Sequence, residues 1–117
     1  MRIVIDLPFP VSLNKLWRSN RGRVHRSKEY TDWIKRADAL WLTQKRNAPK
    51  EPIVRFNAEI SLVPPDNRRR DGDNLAKAAL DFLKRIEVIA DDSGAVKTTI
   101  EMLPPGEPSC RVSIESR

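Results

Sequence analysis

The residues best suited to chemistry form one short segment, Arg68-Arg69-Arg70-Asp71-Gly72-Asp73-Asn74, which is followed by Lys77. A second acidic turn, Asp91-Asp92, comes later in the chain. Carboxylates concentrated beside arginines make physical sense where a protein holds a divalent metal ion and binds phosphates in the same place. We therefore interpret the rest of the chain as a scaffold that presents these two segments.

Asp71 and Asp73 lie two residues apart at a predicted strand-to-helix junction, with Gly72 between them. Glycine permits a sharp backbone turn, so both carboxylates could converge on one cation. In the alternative interpretation, Asp73 caps the helix while Asp71 forms an Asx turn or pairs with an arginine. Capping explains one aspartate but not the two that return at Asp91-Asp92, and the pattern therefore favours a metal site.

Three converging carboxylates, those of Asp71, Asp73 and Asp92, would need a cation, because like charges repel strongly at low dielectric. Oxygen ligands favour Mg²⁺ or Mn²⁺ over zinc. Such ions can activate a water molecule for in-line attack on a phosphodiester. Lys77, one helical turn after Asp73, could neutralise the charge that develops on the phosphate. Its alternative role is an i, i+4 ion pair with Asp73 or Asp81.

The charge of the chain indicates a polyanionic partner. The formal net charge is +6 and the sequence pI is about 9.9. The Arg68–Arg70 run would grip phosphates that flank the reacting one. The basic stretch from Ser12 to Arg26 is predicted to be an irregular phosphate-contacting arm, because Trp17 and His25 lie among its cations. A solvated loop is the alternative, and His25 could also ligate a metal or only hydrogen-bond. The cations of this stretch that are candidates for DNA binding are Lys15, Arg18, Arg21 and Arg23.

Length and composition limit the class of protein. A chain of 117 residues indicates one domain, residues 1–117, with a single core. Cys110 is the only cysteine, which excludes an intramolecular disulfide and a thiolate metal cluster, and a buried reduced thiol is expected. The sequence has no apolar signal core or membrane span, so we expect a cytoplasmic protein with no membrane partner and no small-molecule cofactor.

Hydrophobic periodicity predicts the elements that position the site. Strands are predicted from Arg2 to Leu7 and from Val54 to Leu62, the second with one buried face. Ser27 is the predicted N-cap of a long helix to about Asn47, with Trp33 and Trp41 in the core. A second helix should begin at Asp73 or Asn74, with an apolar stripe of Leu75, Ala79, Phe82, Leu83 and Ile86.

Two further strands, from Ala95 to Leu103 and from Cys110 to Glu115, are predicted to form a closing hairpin. The element order is then β-α-β-α-β-β. This order predicts an α+β fold in which a small mixed sheet carries two helices packed on one side.

Several motifs spread over nearly the whole chain have a highly specific combined spacing. They are Leu7-Pro8-Phe9-Pro10 with Ser12 and Asn14, Asn20-Arg21-Gly22-Arg23, Arg68 to Leu75, Lys77-Ala78-Ala79, Asp81 and Asp91-Asp92. In this combination the chain resembles the RusA family of Holliday junction resolvases, small endonucleases of bacteria and their prophages. Gly72 stands where the family has a bulkier apolar residue, and residues 86–90 lack the helix-ending glycine associated with the family.

The resemblance implies a homodimer that binds four-way DNA junctions and makes paired, symmetric nicks with Mg²⁺ or Mn²⁺, in DNA recombination and repair. By the same resemblance, Asp71, Asp73 and Asp92 are the metal-binding catalytic carboxylates, Lys77 is the essential lysine, and Arg70 contacts DNA. Two other functions compete with this interpretation. One is a non-catalytic module that binds branched or single-stranded nucleic acid. The other is a metal-dependent nucleotide phosphohydrolase, which the lack of a Gly-rich phosphate loop disfavours.

Overall fold

A computed structural model of the chain describes residues 1–11, 17–20 and 23–117, with side chains described outside residues 12–26. Its elements are, in chain order, β1 (Arg2–Leu7), β2 (Trp17–Asn20), β3 (Arg23–Arg26), α1 (Lys28–Leu42), β4 (Phe56–Val63), α2 (Gly72–Arg85), β5 (Ala95–Met102) and β6 (Ser109–Ser116). Short 3₁₀ turns cover Lys45–Asn47 and Asp92–Gly94.

The central sheet has four strands in the order β1-β6-β4-β5. The pairs β1/β6 and β6/β4 are antiparallel, and β4/β5 is parallel. The predicted mixed α+β sheet with two helices is confirmed. The basic stretch, predicted to be irregular, contributes a separate antiparallel pair, β2 and β3. The predicted roles of Lys15, Arg18, Arg21, Arg23 and His25 concern side chains that lie outside the described part of the structure.

One face of the sheet forms the hydrophobic core. Alternate side chains of the two central strands are at most 1% exposed, namely Phe56, Ala58, Ile60, Leu62, Cys110, Val112 and Ile114. They belong to one cluster with the buried residues of α1 and α2. The intervening residues of β4, such as Asn57 and Glu59, lie on the opposite, polar face. Strand alternation of this kind is what one covered face requires, and the two helices supply the cover.

Trp33 of α1 contacts both the segment after β1 and helix α2. Trp33 and Trp41 are buried, as predicted. The indole N–H of Trp33 donates to the carbonyl oxygen of Pro8 at 3.1 Å, and its ring meets Phe82 of α2 edge to face, with centroids 5.6 Å apart. Such an aromatic pair adds about 0.5–1.5 kcal/mol beyond burial. Ser27 caps α1 as predicted, because its Oγ accepts the N–H of Tyr30 at 3.1 Å.

The predicted closing hairpin of β5 and β6 is wrong. β6 lies between β1 and β4, while β5 occupies an edge of the sheet. Because α2 connects β4 to β5, these elements form a β-α-β unit, in which the strands are parallel. The apolar inner residues of β6 need neighbours on both sides, whereas the Lys97, Thr99 and Glu101 side chains of β5 suit an exposed edge.

Element boundaries differ from prediction where local contacts redirect the chain. The predicted inward residue Val54 is 67% exposed, because Ile53 forms a separate bridge to Ile89. The N–H of Ile53 donates to Val88 and its carbonyl accepts from Ala90, both at 2.9 Å. Strand β4 therefore begins only at residue 56. Helix α1 ends at residue 42 rather than near 47, and α2 begins at residue 72, slightly before its predicted start.

The turn after α2 has the geometry of a helix-ending turn, although it contains no glycine. Glu87 takes the left-handed conformation, with φ 63°. The N–H of Glu87 donates to Lys84 at 3.1 Å and that of Val88 to Leu83 at 3.0 Å. These two bonds define a Schellman motif, in which glycine is the usual left-handed residue. The chain therefore leaves α2 in an ordinary helix-ending turn towards Asp91-Asp92.

The free edge of β1 is covered at one residue, Asp6, by a side chain. The amide of Gln44, just after α1, donates from Nε2 to the carbonyl of Asp6 at 2.9 Å and accepts its N–H at 2.8 Å. An uncovered edge would offer these backbone groups to another strand. On the opposite edge, no strand in the described part of the chain pairs with the outer side of β5.

Two further predictions concern Cys110 and the membrane. Cys110 is buried and reduced, as predicted, and burial, followed by the charge of Asp6, raises the pKa of its thiol to about 12. Among the described residues, no helix combines the length and the apolar character needed to cross a bilayer.

Candidate active site

Asp71 is the N-cap of α2. Its backbone is extended, with φ −90° and ψ 107°. Its Oδ1 accepts the N–H of Asp73 at 3.0 Å, and its Oδ2 accepts from the Asn74 side chain at 3.3 Å. A side-chain acceptor at this position satisfies one of the free N–H groups of the first helical turn. The alternative of a cap at Asp73 is therefore wrong: capping falls to Asp71, and it leaves Asp73 unexplained.

The carboxylate of Asp73 has no hydrogen bond or ion pair within the described residues. It is exposed in the first turn of α2, where the helix dipole is positive. Gly72 beside it serves close packing, since a Cβ there would lie 3.1 Å from Cγ2 of Ile100 in β5. Ile100 thus reaches the position where a bulkier residue was expected. Asp73 remains available to a cation.

Arg70 organises the loop before α2. Its side chain is only 16% exposed and forms a 2.8 Å ion pair with Asp66. It also donates to the carbonyls of Asp66 and Arg68, at 3.1 and 3.0 Å, and lies over the ring of Phe9 at 5.5 Å. The N–H of Arg68 and then the guanidinium of Arg70 hold the pKa of Asp66 below its usual value. The predicted DNA contact of Arg70 stays a prediction, because these bonds describe a structural role.

The arginine loop, which contains Arg68, Arg69 and Arg70, lies between two grooves. The first, of about 490 Å³, runs towards β5 and is bordered by Asp73 and Ile100. The second, of about 450 Å³, lies towards the end of β1 and is bordered by Phe9 and Asn74. Residues 68–71 line both. Arg69 is exposed and has no hydrogen bond or ion pair within the described residues, so its guanidinium is available to an anion in either groove.

Lys77 links α2 to the second acidic turn. Its ammonium forms ion pairs with Asp81 at 2.9 Å and with Asp92. The interaction with Asp81 is the i, i+4 pair that the sequence left open. The two carboxylates, Asp92 first and then Asp81, raise the pKa of Lys77, so the side chain is a cation at neutral pH. Asp92 is thereby held against the helix whose first turn carries Asp73.

Asp91 shapes the turn that carries Asp92. It is the N-cap of the 3₁₀ turn, accepting the N–H of Ser93 at 3.3 Å as well as the Ser93 hydroxyl. It also forms a 2.7 Å ion pair with Lys84 of α2. Lys84, followed by Ser93, holds the pKa of Asp91 well below its usual range. Asp91 therefore has a positioning role that its sequence motif left undefined.

Gly94 closes the same turn against β4. A Cβ at this residue would lie 1.9 Å from the carbonyl oxygen of Val54, so no larger side chain fits without moving the backbone. The close approach of the two chain segments fixes where β5 begins and, with it, the distance of Asp92 from the sheet.

The residues suit a hard divalent cation by their chemistry. Carboxylate oxygens are the ligands that Mg²⁺ and Mn²⁺ prefer. Asp73 is unpaired and Asp71 caps only through ordinary hydrogen bonds. Among the described residues, however, no three acidic, histidine or cysteine side chains are close enough to hold an ion together. The structure brings Asp71 and Asp73 into one helical turn and Asp92 to Lys77, and the convergence of all three carboxylates stays a prediction.

Sequence reasoning missed Asp66, Lys84 and Ser93. A signal was present for Asp66, because an aspartate after two prolines is typical of an Asx turn. Likewise, Ser93 follows Asp91 at the spacing of such a turn. No signal in the sequence indicated that Lys84 pairs with Asp91, because that contact depends on the turn after α2.

Comparison with known proteins gives one family. The model of the family described as "Endodeoxyribonuclease RusA" matches residues 8–115. The match thus includes both acidic segments, the arginine loop and strands β2 to β6 except the last residue of β6. Strand β1 precedes the matched range.

Curated relatives agree with the family match. The chain is 34% identical over 100 residues to proteins named crossover junction endodeoxyribonuclease RusA from Shigella sonnei (strain Ss046) and Escherichia coli (strain K12). It is 33% identical over 100 residues to the protein of that name from Enterobacteria phage 82. Each alignment covers 86% of this chain and 82% of the relative.

Proposed function

The chain belongs to the RusA family of endodeoxyribonucleases, and on that premise we propose that it resolves four-way DNA junctions by paired, symmetric nicks. It acts as a single domain, in DNA recombination and repair. The observation that carries the proposal is the ion pair of Lys77 with Asp92. It ties the turn that bears Asp92 to the helix that bears Asp71 and Asp73, which supports assigning both acidic segments to one site.

In the proposed mechanism the loop and the helix start bind DNA backbone. Arg69, exposed between the two grooves, pairs with a phosphate, and Arg68 assists at the rim. Arg70 and Asp66 keep the loop in shape. The positive end of α2 adds a favourable field for the phosphate. The cations Lys15, Arg18, Arg21 and Arg23, whose side chains lie outside the described part of the structure, are included in the proposal as further DNA-binding residues.

Asp71, Asp73 and Asp92 would hold a divalent Mg²⁺ or Mn²⁺ ion, which supplies an activated water and charge stabilisation at the phosphorus. Asp73 contributes an unpaired carboxylate, and Asp71 fixes the direction of the helical turn. Lys77, protonated between Asp81 and Asp92, offers its ammonium to the charge that develops on the scissile phosphate. Because it is already a cation, it acts by charge and not as a general base.

Two cuts related by the two-fold axis of a junction require two sites, and one chain offers one. We therefore include a homodimer in the proposal, since a two-fold pair supplies both sites. A non-catalytic module for branched DNA remains the second candidate, because no three metal-binding side chains converge within the described residues.

The test compares a synthetic four-way junction, a linear duplex, a single strand and a nucleoside triphosphate, each with Mg²⁺, Mn²⁺ or chelator. We expect paired nicks in the junction alone, and only with metal. Binding without cleavage under all conditions would leave the non-catalytic module. Hydrolysis of the triphosphate with an intact junction would indicate a nucleotide phosphohydrolase.

Substitutions of two loop arginines, Arg69 and Arg70, should have different effects, one on DNA binding and the other on stability. Arg69→Ala is expected to reduce the slope of log K against log salt by about 0.9, the loss of one phosphate contact, without changing the melting temperature. Arg70→Ala should instead lower the free energy of unfolding by about 1–3 kcal/mol, because it removes the ion pair with Asp66 and the donors to two backbone carbonyls. Junction binding over a salt series and thermal unfolding measure the two. An unchanged salt slope for Arg69→Ala would remove Arg69 from the phosphate contacts.

A further inference from the structure

The outer edge of β5 is the open end of the sheet. Gln44 covers part of the corresponding edge of β1, at Asp6, whereas within the described residues nothing pairs with the outer side of β5. β5 is eight residues long, and its sequence contains no proline or glycine. Its register against β4 shifts once, between Ala95 and Lys97, and is regular from Lys97 to Met102. A long, open edge is a template for another strand unless it is protected.

The side chains of β5 are also less covered than those of its neighbour. On the helix side of the sheet, Met102 is 40% exposed, while its β4 partner Leu62 is buried. Val96, at the register shift, is 45% exposed. Ile100, on the same side, is partly buried against α2. Lys97 and Glu101 point to the other side and are exposed. An added strand would cover the apolar area that these residues leave exposed.

The direction of the backbone groups fixes how a partner strand would pair. The N–H of Leu103 donates to Leu62 of β4 at 2.8 Å. Because successive residues of a strand alternate in direction, the backbone groups of Lys97, Thr99 and Glu101 also face β4. Those of Val96, Thr98, Ile100 and Met102 face outward. An added strand must therefore form its hydrogen bonds with the even-numbered residues.

The β5 sequence is complementary to itself in one antiparallel register. If Thr99 lies opposite Thr99 of a second copy, each outward-facing residue meets another, Thr98 with Ile100 and Val96 with Met102. In the same register each Lys97 lies opposite a Glu101, on the polar side. Opposite-charge and apolar cross-strand pairs stabilise antiparallel strands, and like charges destabilise them. If the antiparallel pair is centred on Thr98 or Ile100 instead, neither Lys97 nor Glu101 lies opposite a residue of the opposite charge.

We propose that β5 of one chain pairs with β5 of a second copy, antiparallel about Thr99, and that this is the homodimer interface. The surface is isologous, as a two-fold interface must be. The reason for a dimer rests on the proposed function, but the pairing rests on the residues of β5 alone.

This pairing puts both sites on one side of the dimer. A two-fold axis perpendicular to the sheet keeps the helices of both copies on the same face, and Lys77 and Asp92 lie on that helix-bearing side. The two Ala95 residues, each just after the turn that carries Asp92, would be roughly 26 Å apart at about 3.3 Å per residue. A single flat junction can then meet both sites at once.

The test is a charge exchange across the pair. Lys97→Glu and Glu101→Lys each bring like charges together at two symmetric points, and the double variant restores opposite charges. We expect each single variant to weaken self-association tenfold or more, and the double variant to recover to within about threefold of wild type. Lys50→Glu, a matched charge reversal at an exposed residue outside the sheet, is the control and should associate normally.

Sedimentation equilibrium of the full chain over a wide concentration series measures the association, and thermal unfolding verifies that each variant is folded. Single variants that associate like wild type, or a double variant that does not recover, would overturn the interface. If that happens while wild type still cuts the junction, only the interface inference fails. If the charge exchange behaves as expected but no junction is cut, the proposed function fails and the interface stands.

Discussion

Asp73→Asn is expected to reduce cleavage of a four-way junction by at least about 100-fold, the scale on which losing one preorganised electrostatic contact slows an enzyme. Asparagine keeps the size and the helical turn but removes the charge, so a divalent ion loses a ligand. Junction binding should stay equal or become tighter, because one negative charge facing phosphate is gone. The measurements are single-turnover cleavage with Mg²⁺ and binding in chelator.

The control for this prediction is Asp32→Asn. Asp32 is also an exposed aspartate near the start of a helix, in α1, but it borders neither groove of the arginine loop. It should cut and bind like wild type. Cleavage by Asp73→Asn at the wild-type rate would show that Asp73 does not hold the metal, and a loss of binding would show that its role is structural.

Lys77→Met should have an effect of similar size for a different reason. The substitution keeps the length and apolar body of the side chain, removes the cation that we propose faces the scissile phosphate, and leaves Asp81 and Asp92 without the ion pair to Lys77. Cleavage is expected to fall by about 100-fold or more. The turn carrying Asp92 loses its tie to α2, so amide hydrogen exchange in residues 91–95 should accelerate.

The matched variant here is Asp81→Asn, which removes one partner of Lys77 and leaves the ion pair with Asp92. It should retain cleavage within a few-fold of wild type and leave exchange in residues 91–95 unchanged. An equal loss in both variants would mean that the Lys77–Asp81 pair, and not the contact with Asp92, is the one that matters.

Local patterns were sufficient for most elements of the fold. The alternation from Phe56 to Leu62 encodes one buried face directly, and Ser27 begins α1 because a hydroxyl at that position accepts an N–H of the first turn. The Trp33 and Trp41 stripe likewise follows from helical spacing. These predictions are confirmed because each depends on residues close together in the chain.

Strand pairing could not be obtained in the same way. Alternation in β6 indicates a strand but not which neighbours it has, so β5 and β6 were paired by proximity in sequence. The sheet places β6 next to β1, about a hundred residues away, through the register Ile5 to Val112 and Leu7 to Cys110. Non-local pairing depends on which strand buries the most apolar surface, and β6 does so better than β5.

In the candidate site, too, local features were predictable from the sequence and non-local contacts were not. The spacing of Asp71, Asp73 and Lys77 along one helix was readable, and so was the acidic turn at Asp91-Asp92. The contacts of these side chains were not readable from the sequence. Arg70 donates to Asp66 and to two backbone carbonyls, and its guanidinium lies over the ring of Phe9, which is distant in the sequence. Side chains that hold a loop and side chains that bind phosphate look alike until their distances are known.

The amide of Gln44 has a consequence for the size of the assembly. A sheet that can add strands at both ends grows without limit into a fibre. In a dimer joined through β5, the two remaining ends are both β1, and at each of them Gln44 occupies the N–H and carbonyl of Asp6. The Gln44 amide therefore opposes the addition of a further strand at β1, which favours an assembly that ends at two copies.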